Sequence, residues 1–548
     1  MSEFDHKNKL ADVLAASINR RSFLKLLGAG TGMAAASGIM GGSLIQSAYA
    51  ATSKPKKGGV IKLAWVDAVD TLDPHFTSSL GSVKIINNIY NGLLKVAYDG
   101  KKVSFVPDLA EKWEMPNDKT HIFTLRKGVK FHNGDSCDAL AVKWSLERVK
   151  DPAVGSPHAW KFAQLAGVDV INDHTIRMRF NKPYAFLPVA LTGSTGRAGT
   201  IVSKRAVEQY GKAFGRNPVG TGPFKFAGWR ENESITLERN PDYFEPGLPH
   251  LDGAQILLIK EPTAAVAAMM SGQVDGMDVS PFQFIPQLRA NPDLKVYGEV
   301  EGNYSYVGMN NRRAPFDDPM LRKAVAFAID RDAIVKQGYF GEAIPAYTPI
   351  SPPMTDFFDK NIANTGRGQY FDLKKAMEYR KKSKYQGEIN PMYIVSQGFT
   401  GSGGSGTRNS QLLLPMLAKI GIKPRIELLD RAVWTKRRNS GDFDMYDEAW
   451  IADLDPDETL YPEWHSGQSW DFVGYNNPKF DKLVSDAEDT LNQAVRKKLY
   501  YKAEDILMAD APLAVLAHMK VFKILHKRVQ GFQYIPVDLL NLHSVWLS

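Results

Sequence analysis

From Gly58 to the C-terminus, segments with a two-residue hydrophobic period alternate with segments of helical period, and no segment repeats. This alternation constrains the fold most strongly, because the two periods mark strands and helices respectively. "GGVIKLAWVD" (Gly58–Asp67) reads as an opening strand, followed by the turn "TLDPHF". "HIFTLRKGVKFHNGD" has strand periodicity broken by a glycine turn, and "CDALAVKWSLERV" reads as an amphipathic helix. "NPVGTGPFKFAGW" is a turn cluster feeding a strand, with "SITLERNPDYF" the strand after it. "AAVAAMMSGQVDGMDV" reads as a short helix, a glycine stop and a strand, and "NYSYVGMNN" as a strand with alternating aromatics. "DDPMLRKAVAFAID" carries an aspartate cap and an early proline, both helix-start signals. Met392 to Asp430 reads β-loop-α-β, and "AVRKKLYYKAEDILMADAP" is a last amphipathic helix ended by proline. An α/β chain of more than one lobe follows.

The first fifty residues carry a different message. "NRRSFLKLLGAGTGMAAASGIMGGSLIQSAYA" places the pair Arg20–Arg21 before a weakly apolar Gly/Ala-rich run and the small residues of "AYA" (Ala48–Ala50). This is the layout of a cleavable export signal of the twin-arginine type, spanning 1–50. The glycine and alanine content makes a poor membrane helix, the competing reading. Export implies a mature chain free in the periplasm, without an NAD or ATP pool to draw on. Cys137 is the only cysteine, so no internal disulfide forms, and no cysteine at the cleavage point offers a lipid anchor.

The formal charge is +8, of which +6 remains after residue 50. That charge is scattered, which excludes a nucleic-acid footprint and leaves a mild attraction to anionic solutes. With 44% hydrophobic and 23% charged residues among 548, the chain has ordinary globular composition and room for two or three cores.

Within the β-loop-α-β segment, "GSGGSG" (Gly401–Gly406) matches G-x-G-x-x-G. A dinucleotide site places its turn directly after the strand; here the spacer "GFT" intervenes. The motif is read as a false positive and no cofactor is expected. The loop opens a helix over 407–419, whose unpaired first-turn amides attract anions. Either an anion cradle assisted by Arg408 or Arg431, or a plain flexible connector, fits the pattern.

Five stretches in order resemble one family, the family-five extracellular solute-binding proteins, the dipeptide/oligopeptide/nickel-binding class of ABC importers. They are "PDLAEKWEMPNDKTHIFTLRKGVKFHNGD", "NPVGTGPFKFAGWRENESITLERNPDYF", "AAVAAMMSGQVDGMDV", "MNNRRAPFDDPMLRKAVAFAIDRDAIV" and "DFDMYDEAWIADLDPDETLYPEWHSG". The resemblance implies a two-lobed periplasmic binding protein fold (type II, cluster C-like) with a subdomain inserted in the first lobe. It implies residues 51–95, 215–307 and 521–548 in the main sheet of lobe I, 96–214 as the insertion and 308–520 as lobe II. "YSYVGMNN" and "LAHMKVF" would cross between the lobes, where a few dihedrals absorb closure. It also implies a monomer that delivers its solute to an inner-membrane ABC permease with its ATPase.

The same resemblance nominates ligand-binding residues. In "WIADLDPD", Asp453 matches the aspartate that accepts a peptide's amino group and Trp450 the tryptophan three residues before it, although the loop is one residue shorter than in dipeptide binders; a pocket tryptophan of those binders would fall near Arg431, where this sequence departs. The arginine that those binders use for the carboxylate would fall near Thr400, where none stands; Arg408 and Arg431 are the nearest candidates. Ser79, in "HFTSSLGS", and Tyr306, on a crossing strand, complete the set. A peptide or amino-acid-like, opine-like solute with an anionic group is expected. A sugar derivative, a chelated metal, or a sensor or chaperone role on the same fold stands as the alternative. A hydrolase finds no support, since G-x-S-x-G, H-E-x-x-H and clustered histidine ligands are missing. Cys137 reads as a packing residue.

Overall fold

A computed structural model describes residues 54–77, 79–193, 197–277, 281–397, 406–451, 454–537 and 539–548. The export signal, Asp453 and residues 401–405 of the glycine loop lie outside them.

Among the described residues a twelve-stranded sheet runs through the molecule. One half is ordered Arg425–Leu429, Met392–Ser396, Met445–Ile451 and Asn303–Met309; the other runs Gly276–Met277, Val60–Trp65, Gly253–Leu258, Ser234–Arg239 and Phe224–Arg230. The long strand Leu513–His526 joins them. Between Leu513 and Met519 it pairs with Asn303–Met309 and Ala343–Pro345. From Lys520 to His526 it pairs with Leu294–Val300 instead. Asn303–Met309 is buried along its whole length, as expected where a strand is covered on both faces. A separate four-stranded antiparallel sheet holds Ala110–Asn117, Thr120–Leu125, Thr175–Phe180 and Leu165–Asn172, with helix Ala139–Lys150 packed on it. Cys137 is buried in that core.

Local signals account for the helix starts. Asp138 accepts from the Ala141 N–H at 3.0 Å, and Asp318 from the Met320 N–H at 2.9 Å with Pro319 in the first turn. The last long helix, Gln493–Asp510, stops at Ala511, which turns left-handed (φ 51°) ahead of Pro512.

Candidate functional site

A cavity of about 620 Å³, within the range of small-ligand sites, is lined by two sets of segments distant in sequence. The first set holds Asp67 and Ala68 after the opening strand, Ser79–Gly81 at the start of helix Leu80–Ile89, Pro157–Lys161, and Arg197. The second set holds Gln397, one face of helix Arg431–Ser440, residues 448–450 of strand Met445–Ile451, and residues 458–472.

The second wall is built by helical spacing. Asp430 caps helix Arg431–Ser440 by accepting from the Ala432 N–H at 2.9 Å. Arg431, Trp434 and Arg438, three and four residues apart, then share a face. Trp434 is fully buried, and the two guanidinium carbons lie 4.4 and 4.7 Å from its ring centroid. Both cations meet Glu448: Arg438 through a short ion pair and Arg431 at 3.8 Å. Arg438 also lies 4.0 Å above the Phe472 ring. Glu463, on helix Pro456–Trp464, accepts from the hydroxyls of Tyr304 and Tyr306. Burial outweighs those two bonds and pushes its carboxyl up to about 8, so it keeps a proton at pH 7.

The first wall reaches across the cavity. Lys161 and Glu458 pair at 2.8 Å, with side chains 1% and 6% exposed. The Trp160 ring stacks on Tyr461 at 6.1 Å and on Phe186 at 5.7 Å. The His158 ring bonds the Thr77 carbonyl at 2.8 Å through Nε2, so that nitrogen carries the proton. Burial first, then the charges of Arg197 and Lys161, hold His158 well below its usual pKa and therefore neutral.

Of the residues nominated from the sequence, Ser79, Arg431 and Trp450 line this cavity together. The Ser79 hydroxyl donates to the Ala68 carbonyl. Trp450 is half-buried, donates its indole N–H to the Glu458 carbonyl at 2.9 Å and meets Trp470 edge-on at 5.5 Å. Tyr306 stands one layer back, fully buried, with its hydroxyl on Glu463 and Tyr446. Arg408 packs over the Phe340 ring at 4.6 Å and is not among the lining residues. Asp453 lies outside the described residues.

The last glycine of the loop, Gly406, opens helix Gly406–Ala418, one residue ahead of the expected start. A Cβ there would fall 1.8 Å from Asp447 Oδ2, so any other residue requires the Asp447 carboxyl to move. The amino end of that helix thus already faces a carboxylate of the chain. Burial and the neighbouring Glu448 push Asp447 up to about 7.

The sequence reading did not reach Trp160, Lys161, Arg197, Arg438, Glu448, Glu458, Glu463 or Trp470. A signal for one of them exists: "GSTGRAGT" places a single cation, Arg197, inside a glycine-rich loop. Among the described residues, no cluster of three or more histidine, cysteine or acidic side chains is arranged to hold a metal. No described helix is long and apolar enough to cross a membrane.

Residues 104–471 match the model of the bacterial extracellular solute-binding proteins, family 5. A curated relative, the glutathione-binding protein GsiB of Escherichia coli O6:K15:H31, is 26% identical over 478 residues, covering 85% of this chain and 90% of that protein. The periplasmic binding protein DppA from Helicobacter pylori, solved in complex with the peptide STSA, superposes with a TM-score of 0.79 at 28% identity, covering 90% of this chain and 98% of that one. The oligopeptide-binding protein AppA from Bacillus subtilis, solved with a nonapeptide, gives 0.80 at 24% identity over 90% of this chain and 100% of that one. With its mixed α/β sheet, its cavity and a family match across most of its length, the chain belongs to the family 5 extracellular solute-binding proteins.

Proposed function

We propose that the chain is the periplasmic substrate-binding component of an ABC importer and captures a peptide, or an amino-acid-like or opine-like compound, in the 620 Å³ cavity. The observation that carries this reading is the lining. Carboxylates (Asp67, Glu448, Glu458) and cations (Lys161, Arg197, Arg431, Arg438) share one space with Trp160, Trp450 and Trp470. Such a surface suits a guest carrying both charges together with apolar groups, because charged guest groups can bond to the lining ion pairs in place of water. A neutral sugar would leave Arg197, which has no ion pair among the described residues, unmatched. The ligands named for GsiB and DppA, glutathione and a tetrapeptide, have the chemistry this lining asks for.

In this proposal lobe I is 51–95, 215–307 and 521–548 with the insertion 96–214, and lobe II is 308–520. The lining supports the division, because its two sets fall at 67–197 and 397–472. The strand pairings favour pivots at Glu301–Gly302 and Met519–Lys520, where the sheet partners change. The pairs Lys161–Glu458 and Lys182–Asp489, the latter at 2.8 Å, then hold the insertion against lobe II in a closed form. Export by the twin-arginine route, a monomeric state and delivery to a permease with its ATPase complete the reading.

Mass spectrometry of the solute released by mild denaturation of purified protein tests it, followed by calorimetric titration of that solute. One equivalent of a compound bearing both an amine and a carboxylate, recovered unaltered, is expected. A neutral sugar, a bare metal chelate or turnover of the solute contradicts the proposal. Changing Arg20 and Arg21 to lysine is expected to stop export of the full chain; unchanged export removes the twin-arginine route.

A further inference from the structure

We infer that Arg197 is the carboxylate receptor of this cavity, binding a free carboxylate of the guest from the wall that the inserted segment forms. The inference rests on the proposed function above and names the residue and the ligand group that decide specificity. Four cations line the cavity among the described residues. Lys161 faces Glu458, and Arg431 and Arg438 both face Glu448. The Arg197 side chain has neither an ion pair nor a hydrogen bond to any described residue, and its Nε is buried without an acceptor. A buried donor left unpaired carries a desolvation cost, which a guest carboxylate removes on binding. The neighbouring lining residue, His158, is neutral and spends its N–H on the Thr77 carbonyl, so it does not substitute as a counter-ion.

The backbone holds this arginine in a costly shape. Arg197 has φ 53°, in the left-handed region where a side chain crowds the backbone. Its carbonyl accepts from the Thr200 N–H at 3.1 Å. Gly199 lies so close to the Ala190 carbonyl that a Cβ would fall 2.3 Å from its oxygen. Packing at Gly199 and Thr200 therefore fixes the backbone that follows a strained cation, which is unpaired among the described residues. Strain of this kind persists where the surroundings over-determine it, typically at a ligand clamp. The planar guanidinium fork matches a carboxylate with two parallel hydrogen bonds, which an ammonium does not.

The test uses the full exported chain with two probes, glutathione and Ser-Thr-Ser-Ala, each as the free acid and as the C-terminal amide. Wild type is expected to prefer the acid by about 30-fold or more, the effect of removing one partner from a buried charge pair. Arg197→Gln and Arg197→Gly are expected to lose that preference: acid affinity falls to the amide's, amide affinity stays, and Arg197→Lys keeps part of the preference. Arg197→Gly also relieves the left-handed strain, so its melting temperature is expected to match or exceed wild type and a folding failure does not mask the result. Equal binding of acid and amide by wild type overturns the inference alone, as does a preference that survives both substitutions. Failure of wild type to bind either probe in any form overturns the inference together with the peptide reading of the proposed function, whose amino-acid-like and opine-like reading is decided by the co-purified solute.

Discussion

On the wall built from residues 397–472, each lining cation meets a carboxylate of the same wall; on the wall built from residues 67–197, Lys161 reaches across the cavity to Glu458 and Arg197 meets no carboxylate of the described chain. The first arrangement is self-contained. Arg431 and Arg438 clamp the face of Trp434 and share Glu448, so their charge is spent before any guest arrives. The second arrangement is open, with one bond that spans the two walls and one cation that has no carboxylate partner among the described residues. The difference separates holding the cavity's shape from choosing what enters it. A buried ion pair is weak evidence for stability, but removing one partner is costly. The two walls should therefore respond differently to the same kind of damage.

The largest expected effect is at the bridge between the walls. Glu458→Gln removes the charge facing Lys161, at about 3 kcal/mol or more, and that loss falls on the closed form. Guest affinity should drop roughly a hundredfold by calorimetry, and the scattering profile with guest present should stay expanded. An unchanged profile would mean that the bridge does not hold the walls together.

Next in size is Glu448→Gln, which disrupts the self-contained wall at about 3 kcal/mol. This loss should appear as a lowered melting temperature, with the guest-dependent compaction preserved. Lost compaction would erase the distinction between the walls.

A pH titration sharpens the comparison through Glu463. Glu463 and Glu504 are pushed up to about 8, and Asp447 and Glu488 to about 7, all chiefly by burial. These groups keep protons in the folded state that the unfolded chain has already released near neutrality. Folded protein thus binds more protons there, and stability should fall as pH rises from 6.5 to 8.5. Below the ordinary histidine range this trend is opposed, because His75 and His518 are held down to about 4 and His158 lower still, again mainly by burial, and the unfolded chain protonates them first. The melting temperature should therefore change more steeply with pH on the alkaline side than between pH 5 and 6. In Glu463→Gln the alkaline slope should be shallower; an identical slope would place that proton elsewhere.

The smallest effect belongs to Arg431→Gln. Its side chain is 54% exposed and 3.8 Å from Glu448, so the melting temperature should move by less than about 1 kcal/mol allows. An affinity loss above tenfold would instead make Arg431 a second anchor for the guest.

Much of this architecture is written locally in the chain. Asp138, Asp318 and Pro319 mark helix starts through short-range chemistry that a linear reading recovers. The aromatic alternation of Asn303–Met309 likewise marks a central strand. Ser79 and Trp450 are legible because family-like motifs carry them, and Arg431 as a cation beside the glycine-rich segment; the three line one cavity. Arg197 and Lys161 are different. They belong to a segment with its own sheet and core cluster, and only tertiary docking sets them against residues almost three hundred positions away, as Lys161 meets Glu458. Periodicity reports which face of an element is buried, not which distant carboxylate it meets. The glycine pattern misleads for the same reason: Gly406 packs against the carboxyl of Asp447, and the glycine-rich loop bearing a lining cation lies at 193–199.

The central claim, that the guest sits between these two walls, is tested most directly by filling the space. Thr435, on the lining face of helix Arg431–Ser440, is changed to tryptophan, and the co-purified solute is titrated into wild type and Thr435→Trp. Heat corresponding to one site in wild type and none in the variant, with both melting alike, is the predicted result. Full binding by a folded Thr435→Trp would put the guest somewhere else and contradict the account.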